Sequence, residues 1–218
     1  MITTVAFDAD DTLVDTHKAV MAGLSAVIAH LDDPALTVEL FQADAAEHWR
    51  TMADQRAHEI RAAATRCTLA RVGREAEADA VVELFFDVRF ANSRPFPGTV
   101  EVLEKLRGEY RLGYATNGNS QTHLCGLEGR FDFELYAIVD GVPKKPAEAF
   151  YRKMIELAEA APHEIVYVGD NYEMDVAGPA GMGIRTVWLN RGGASVPGSV
   201  QPDAVIENLI DLPRILAG

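Results

Sequence analysis

Carboxylates stand at two places where an apolar run of the sequence ends. Asp8 and Asp10 follow the first apolar run of the chain. Asp170 and Asp175 follow a later one. Carboxylate oxygens are the ligands that hard divalent cations prefer, and a carboxylate can also act as a nucleophile or as a general acid or base. Brought together, these four side chains would suit metal-assisted chemistry.

A hydroxyl and a cation occur at two further positions. Thr116 and Asn117 follow another apolar run, and Lys145 precedes a predicted helix. Taken alone, each cluster is typical of an ordinary feature: an Asn-Gly turn, a solvated lysine, or an aspartate that caps a helix. Together they would bring an anionic metal site, a hydroxyl and a cation to one edge of the sheet, and coincidence is then the minor explanation. We therefore interpret them as one site.

Five short apolar runs predict the strands that would position these residues: 4–7, 112–115, 135–139, 165–168 and 185–189. Their hydrophobicity is continuous rather than alternating, as in a parallel sheet that helices cover on both faces. Three helices are predicted between them: 100–107, 146–161, and one from about 175 to 181 or 183. The alternation predicts an α/β fold with a doubly wound, Rossmann-like parallel sheet, in which ligands bind beyond the carboxyl ends of the strands.

This alternation is interrupted between residues 15 and 94, where no strand-like run occurs. The segment predicts three helices: 19–30, 37–61 and 78–89. A connector rich in Pro and Gly follows at 92–98. We expect two domains, a catalytic core of residues 1–14 and 95–218 and an inserted helical cap of residues 15–94. The cap is expected to close over the sheet edge, exclude water and supply substrate specificity.

The composition excludes several classes of protein. Of the 218 residues, 33 are acidic and 20 are basic, and the net charge of −13 disfavours binding to nucleic-acid polymers. No apolar run approaches the ~18 residues of a membrane-spanning helix, and the N-terminus lacks the pattern of a signal peptide. Cys67 and Cys125 are expected to be reduced and structural. We expect a cytoplasmic protein with a small-molecule partner and no membrane partner; the oligomeric state stays open.

Four stretches resemble, in order, the motifs of the haloacid dehalogenase (HAD) superfamily: Asp8-x-Asp10-x-Thr12, Thr116, Lys145-Pro146 and Gly169-Asp170-x₄-Asp175. The resemblance covers the core, and the helical insertion after the first motif is similar to the C1-type cap of a subfamily with many small-molecule phosphatases. Lys144 stands where relatives often carry glycine, so either lysine could point into the site. Lys145 is favoured because it directly precedes the proline of the motif.

The resemblance implies a Mg²⁺-dependent phosphatase that hydrolyses a small soluble phosphomonoester through an aspartyl-phosphate. Asp8 would be the nucleophile, and Asp10 would protonate the leaving alkoxide and then activate water. Asp8, Asp170 and the backbone carbonyl of Asp10 would bind Mg²⁺. Asp175 would position metal-bound water or Lys145. Charge supports a cation, because two like charges ~4 Å apart repel by about 4 kcal/mol at an effective dielectric of 20.

The resemblance also implies groups that bind the phosphate. Thr116 would donate its hydroxyl to a phosphoryl oxygen, and the backbone N–H of Asn117 would add a second donor. Lys145 would neutralise the nucleophile and the transferring group.

Three other functions fit the same motifs. A haloacid dehalogenase would use a similar aspartate to displace halide from carbon, but that reaction needs neither a proton donor nor a metal, so Asp10 and Asp170 favour phosphate. A phosphomutase would return the phosphoryl group to its substrate. A non-catalytic HAD-like binding or regulatory protein would be expected to lack Asp8 or Asp10, and both are present.

The helical insertion offers candidates for specificity. Five arginines could bind a second anionic group of the substrate or pair with acidic residues on solvated helix faces: Arg50, Arg56, Arg61, Arg66 and Arg71. His17 stands at the start of the insertion, where it could reach substrate. Four aromatic residues could line a pocket or pack in the core: Trp49, Phe85, Phe86 and Phe90. The expected substrate is small, such as phosphoglycolate, a sugar phosphate or a nucleoside monophosphate.

Overall fold

Six parallel strands form one sheet. The computed structural model describes residues 1–217, and its strands are β1 (Thr4–Phe7), β2 (Arg111–Thr116), β3 (Phe133–Tyr136), β4 (Ile165–Gly169), β5 (Arg185–Leu189) and β6 (Ala204–Ile206). Their order is β3-β2-β1-β4-β5-β6, and every neighbouring pair is parallel. The predicted doubly wound sheet is confirmed. Because β1 lies between β2 and β4, its carboxyl end is the switch point at which such sheets bind ligands.

Two strands differ from the prediction. β3 ends at Tyr136 and not at Val139, because the chain turns there and Ile138 adopts a left-handed φ of 67°. The sequence does not predict β6, a strand of three residues in which only Ile206 is buried, so no apolar run marks it. Neither difference moves the strands that precede the predicted aspartates.

Eight α-helices occur in the described part of the chain: α1 (Thr16–Leu31), α2 (Val38–Thr51), α3 (Ala57–Ala70), α4 (Ala78–Asn92), α5 (Thr99–Leu106), α6 (Glu148–Ala158), α7 (Gly178–Ala180) and α8 (Leu212–Leu216). The helix predicted from about residue 175 is instead a π-helix over Tyr172–Ala177 that runs into α7. Across residues 1–217, no helix combines the length and the apolar character needed to cross a membrane.

The helix predicted over 37–61 is two helices, so that prediction is wrong. α2 ends before Met52, and the chain leaves the helical conformation until α3 begins. The start of α3 is stabilised by Glu59, whose carboxylate accepts a hydrogen bond from the backbone N–H of Arg56 at 3.0 Å. This capping of the Arg56 N–H by an acidic residue of the first turn is a start signal that lies inside the apolar periodicity.

Helices bury both faces of the sheet. On one face Val5 and Phe7 of β1 belong to a cluster with side chains of α5 and α8. On the other face Ala6 and Tyr167 belong to a cluster with side chains of α6. Alternate residues of each strand therefore face opposite cores, which is why the strands read as continuous apolar runs. Polar side chains are left to the loops at the strand ends.

The chain divides into two compact units, Met1–Val14 with Pro95–Gly218, and Asp15–Arg94. The first contains the sheet. The second contains α1 to α4 and is called the helical unit below. In the helical unit, α1 packs against α4 and α2 packs against α3. Leu24, Phe41 and Phe85 are among the buried residues of its core.

A buried ionic network joins α2 to α3. The Asp44 carboxylate, with a side chain 8% exposed, accepts hydrogen bonds from the Thr68 hydroxyl at 2.8 Å and from Arg71 Nε at 3.1 Å. A second guanidinium nitrogen of Arg71 also donates to it. These bonds lower the pKa of Asp44 below its usual value, and the bond from Arg71 has the largest effect.

Asp44→Asn is expected to lower the free energy of unfolding by about 1 to 2 kcal/mol at neutral pH, since Arg71 is itself half exposed. Because the folded pKa is lowered, the stabilisation is present above the unfolded pKa of about 3.9 and is lost as pH falls through the folded value. Urea unfolding at about pH 7 and below about pH 3 measures the difference. Asp79→Asn, which removes an exposed partner of Arg66, is the control and should change stability little. A loss for Asp44→Asn that is equal at both pH values would contradict the account.

Candidate active site

The loop after β1 places Asp8 and Asp10 at the carboxyl end of the central strand. The backbone N–H of Asp8 donates to the carbonyl of Val168 at 2.9 Å, which extends the β1–β4 pairing by one residue. The loop then turns sharply, and the N–H of Leu13 donates to the carbonyl of Ala9 at 2.9 Å. Strand pairing and turn together hold the two aspartates at the switch point.

Thr12 connects this loop to the loop after β4. Its buried hydroxyl accepts a hydrogen bond from the backbone N–H of Asp170 at 3.1 Å and donates one to Asp170 Oδ1 at 3.2 Å. The indole N–H of Trp188 donates to the carbonyl of Asp170 at 2.8 Å. Both the backbone and the carboxylate of Asp170 are therefore held in place.

Lys145 is the lysine of its pair that contacts the carboxylates. Its Nζ donates to Asp8 Oδ1 at 2.7 Å, to Asp175 Oδ1 at 2.7 Å and to the Tyr167 hydroxyl at 2.8 Å. The three ammonium protons thus each have an acceptor. Burial opposes the charged form, but Asp175 and Asp8 together raise the pKa of Lys145 well above its usual value. The side chain is therefore a fixed, buried cation.

Asn117 positions the backbone of Lys145. Its side-chain oxygen accepts from the backbone N–H of Lys145 at 2.7 Å, and its amide nitrogen donates to the carbonyl of Lys145 at 3.0 Å. The sequence predicts only a backbone donor here, so this bridge between the loops after β2 and β3 is an additional role for the side chain.

Three carboxylates lie close together, because Asp8, Asp170 and Asp175 each place an oxygen within 4.8 Å of the others. Burial raises the pKa of Asp170 to about 6, with smaller contributions from the charges of Asp175 and Asp11. Burial also raises the pKa of Asp8, although Lys145 acts in the opposite direction. Three ionised carboxylates would carry more negative charge than Lys145 neutralises, so a bound cation would favour their full ionisation.

The hydrogen bonds divide the carboxylates into two groups. Asp175 uses both oxygens within the protein, since Oδ1 accepts from Lys145 and Oδ2 accepts from the N–H of Asn171 at 2.9 Å. Asp8 and Asp170 are the pair that could hold a cation. Buried oxygen donors with an excess of negative charge fit a hard divalent ion such as Mg²⁺.

Asp10 lies against the loop after β2. The buried Ser120 hydroxyl donates to Asp10 Oδ1. A Cβ atom at Gly118 would come within 2.0 Å of Asp10 Oδ2, so only glycine permits this approach. Thr116 is buried, and its hydroxyl accepts from the N–H of Gly118 at 3.0 Å. The loop therefore brings the Asp10 carboxylate and Thr116 together.

Seven residues predicted for the core site lie at the carboxyl ends of the strands or just after them: Asp8, Asp10, Thr116, Asn117, Lys145, Asp170 and Asp175. Sequence reasoning missed Ser120 beside Asp10 and Tyr167 beside Lys145. It also missed the reason for Gly169, where a Cβ would come within 2.3 Å of the Asp175 carboxyl group. A tyrosine inside a buried strand could have indicated this contact with Lys145, since a buried hydroxyl needs a hydrogen-bond partner.

The candidates in the helical unit differ in their surroundings. Three of the arginines form ion pairs: Arg50 with Glu47, Arg66 with Asp79, and Arg71 with Asp44. Phe85 and Phe86 are buried in the core of the unit, whereas Trp49 is 39% exposed.

In the sheet unit, burial raises the pKa of Cys125 to about 11, which keeps its thiol protonated.

Sequence comparison places the chain in a family. A model of the haloacid dehalogenase-like hydrolases matches residues 2–183. The chain therefore belongs to the haloacid dehalogenase-like hydrolase family, as its motifs predict.

Curated and solved relatives include two kinds of enzyme. The chain is 33% identical over 124 residues to the N-acylneuraminate-9-phosphatase of Rattus norvegicus, a match that covers 53% of this chain and 49% of that protein. It is 28% identical over 200 residues to the glyceraldehyde 3-phosphate phosphatase of Pyrococcus abyssi, covering 88% and 83%. A crystal structure of a 2-haloacid dehalogenase from Pseudomonas syringae pv. Tomato DC3000 has a TM-score of 0.80 and 30% identity, covering 100% of this chain and 99% of that chain. The match spans about half the length of the rat enzyme.

Proposed function

We propose that this chain is a phosphatase that hydrolyses a small phosphomonoester through an aspartyl-phosphate on Asp8. The observation that carries the proposal is the buried Lys145 ammonium, which lies 2.7 Å from both Asp8 and Asp175. A fixed cation beside the nucleophile orients its carboxylate and offsets negative charge on the group that it attacks. The relatives named as phosphatases of an N-acylneuraminate 9-phosphate and of glyceraldehyde 3-phosphate support a small ester as substrate.

In the first step, a carboxylate oxygen of Asp8 attacks phosphorus in line while the bond from phosphorus to the ester oxygen breaks. The Thr116 hydroxyl and the backbone N–H of Asn117 donate to phosphoryl oxygens, and Lys145 offsets their charge. Asp10 transfers its proton to the departing alkoxide, so a neutral alcohol leaves and the phosphoryl group stays on Asp8.

In the second step, the ionised Asp10 takes a proton from a water molecule as that water attacks phosphorus. The bond between phosphorus and the Asp8 oxygen breaks, inorganic phosphate is released, and Asp8 returns as a carboxylate. Asp10 is again protonated for the next cycle. The hydrogen bond from Ser120 keeps Asp10 in place through both transfers.

Asp8 and Asp170 would hold Mg²⁺ in this proposal, with the backbone carbonyl of Asp10 as a further ligand. When bound, Mg²⁺ would supply positive charge to the phosphoryl oxygens and to the carboxylate cluster. The excess negative charge described above supports this assignment, since Lys145 is the cation in contact with Asp8 and Asp175.

Mg²⁺ is expected to raise the midpoint of thermal unfolding, and to do so more strongly at about pH 8 than at about pH 5. The pKa of Asp170 is raised to about 6, so protons compete with the cation on the acidic side. Asp170→Asn should reduce the Mg²⁺-induced shift at both pH values. Thermal scans with and without MgCl₂ measure it, and Asp211→Asn, at an exposed aspartate, is the control. A shift that is larger at acid pH, or that survives in Asp170→Asn, would contradict the assignment.

A panel of phosphorylated metabolites tests the function itself. Phosphate release is measured for each ester with Mg²⁺ and with EDTA. We expect phosphate release from at least one small ester, and we expect this release to depend on Mg²⁺. Absence of release across the panel would overturn the proposal.

Haloacid dehalogenase activity is the second candidate, because a 2-haloacid dehalogenase is 30% identical over its whole chain. Halide is a stable anion and leaves without a proton donor. That reaction needs neither a proton from Asp10, which Ser120 holds in place, nor a cation at Asp170 in the acidic cluster. These two residues therefore favour phosphate transfer. Chloride release from 2-chloropropionate without added Mg²⁺ would reverse this order.

For the helical unit, we propose the role of a cap that supplies substrate specificity. The position of this insertion directly after the first motif supports the role, as does its separate compact core. Relatives that act on different small esters would then differ mainly in this unit.

A further inference from the structure

Tyr167 is a fully buried residue of β4 that the steps proposed above do not use. Its hydroxyl donates a hydrogen bond to the carbonyl of Ala115 at 2.6 Å and accepts one from Lys145 Nζ at 2.8 Å. A phenylalanine would fill the same place in the core without a polar atom to satisfy. The hydroxyl therefore needs an explanation beyond packing.

Small residues on the neighbouring strands let the Tyr167 side chain reach across the sheet. Tyr167 pairs with Ala6 of β1, and β1 separates β4 from β2, which carries Ala115. Ala6, Ala115 and Tyr167 belong to the same buried cluster, so the ring lies over two short side chains. The Tyr151 ring packs edge-on against it, with the ring centres 6.5 Å apart. The hydroxyl is therefore held in a defined place between two loops of the site.

The single proton of the hydroxyl gives this hydrogen-bond chain a direction. The carbonyl of Ala115 can only accept, so it takes the Tyr167 proton, and a lone pair of the phenol oxygen faces Lys145. Burial raises the pKa of Tyr167 well above its usual value, so the phenol keeps that proton. The ammonium then gives one proton to Tyr167 and the other two to Asp8 and Asp175. Three fixed acceptors determine both the position and the rotation of the ammonium.

We propose that Tyr167 is a positioning residue for phosphoryl transfer, whose hydroxyl holds the Lys145 ammonium beside Asp8. The same hydroxyl connects Lys145 to the end of β2, because Ala115 directly precedes Thr116. The cation and the predicted phosphoryl donor thus share one rigid support, as a preorganised site requires. The inference rests on the proposed function, since Tyr167 acts on the reaction through Lys145.

Tyr167→Phe keeps the ring and removes the oxygen, which leaves one ammonium proton and the carbonyl of Ala115 without a partner. The ammonium can then move toward that carbonyl and away from Asp8. We expect kcat to fall by about 10- to 100-fold while KM changes by less than about threefold, because the displacement misplaces charge while the bond from Asp8 to phosphorus forms. Lys145 donates no proton to the leaving group, so the loss should be equal for an alkyl phosphate and for p-nitrophenyl phosphate. Steady-state kinetics well below the thermal midpoint of the variant measure both parameters.

Tyr110→Phe is the matched control. It removes the same atom from a tyrosine at the other end of β2, where the hydroxyl donates to the carbonyl of Leu216 at 3.4 Å. Its kcat and KM should equal those of the wild type. Normal kcat in a folded Tyr167→Phe, or a loss confined to KM, would overturn the proposal. An equal fall of kcat in Tyr110→Phe would do the same, since it would show a general effect of losing a tyrosine hydroxyl.

Crystal structures of the wild type and of Tyr167→Phe separate this role from the proposed function, because they need no turnover. In the variant, we expect Lys145 Nζ to lie beyond hydrogen-bond distance of Asp8 or of Asp175. If no ester is hydrolysed by the wild type but Nζ moves in the variant, the proposed function fails and the positioning of Lys145 by Tyr167 stands. If Nζ keeps both carboxylate contacts without the hydroxyl, the positioning role is overturned, whatever the enzyme hydrolyses.

Discussion

Asp8→Asn is expected to lower phosphatase turnover by about 10⁴-fold or more while the fold is retained. An amide nitrogen or oxygen cannot replace the carboxylate as a nucleophile toward phosphorus, so no aspartyl-phosphate can form. The side chain keeps its size, and Lys145 keeps its bonds to Asp175 and Tyr167. Steady-state phosphate release from the best ester of the panel measures the loss.

Stability provides the control for this variant. Burial raises the pKa of Asp8, so its ionised form is less favourable in the folded protein than in the unfolded chain. A group with a raised folded pKa reduces stability as pH rises through the titration range, and a neutral Asn does not. The thermal midpoint of Asp8→Asn at neutral pH should therefore equal or exceed that of the wild type. Near-normal turnover in a folded Asp8→Asn would remove the nucleophile assignment.

Asp10→Asn is expected to lose activity in a way that depends on the leaving group. With an alkyl phosphate the first step needs a proton donor, and the rate should fall by about 10²- to 10⁴-fold. With p-nitrophenyl phosphate the departing anion is stable, so the first step should be nearly normal. The second step still needs Asp10 as the base. A burst of one equivalent of p-nitrophenol followed by slow turnover is therefore predicted in stopped-flow measurements.

Ser120→Ala is the companion variant, because it removes the hydroxyl that donates to Asp10 and leaves the carboxylate present. Its loss should follow the same leaving-group pattern but be smaller. Thr122→Ala, in the same loop region but bonded to Glu134, is a control for the loop itself. Equal losses on alkyl and p-nitrophenyl esters, without a burst in Asp10→Asn, would contradict the acid–base role of Asp10.

The sheet is largely predictable from the sequence because each strand must be apolar on both faces. That requirement marks β1, β2, β4 and β5 as continuous apolar runs. The aspartates of the site come directly after β1 and β4. β6 is not predicted, because it is a short edge strand with one buried residue and so has no continuous apolar run. The break between α2 and α3 is not predicted, because the apolar periodicity continues across it. Local capping ends one helix and starts the next.

The candidate site is predictable in its residue types but not in its supporting contacts. Motif order identifies Asp8, Lys145 and Asp170, but spacing along the chain does not show which acceptors the ammonium uses. Tyr167 and Ser120 reach the site from positions that look like ordinary core residues.

Chemical trapping of the intermediate tests the central claim most directly. Turnover of the best ester is quenched in acid, the protein is reduced with borohydride, and the peptides are read by mass spectrometry. Borohydride converts an aspartyl-phosphate to homoserine, so the account predicts homoserine at position 8 in the wild type and none in Asp8→Asn. Homoserine at another aspartate, or no modified residue in an enzyme that is turning over, would contradict it.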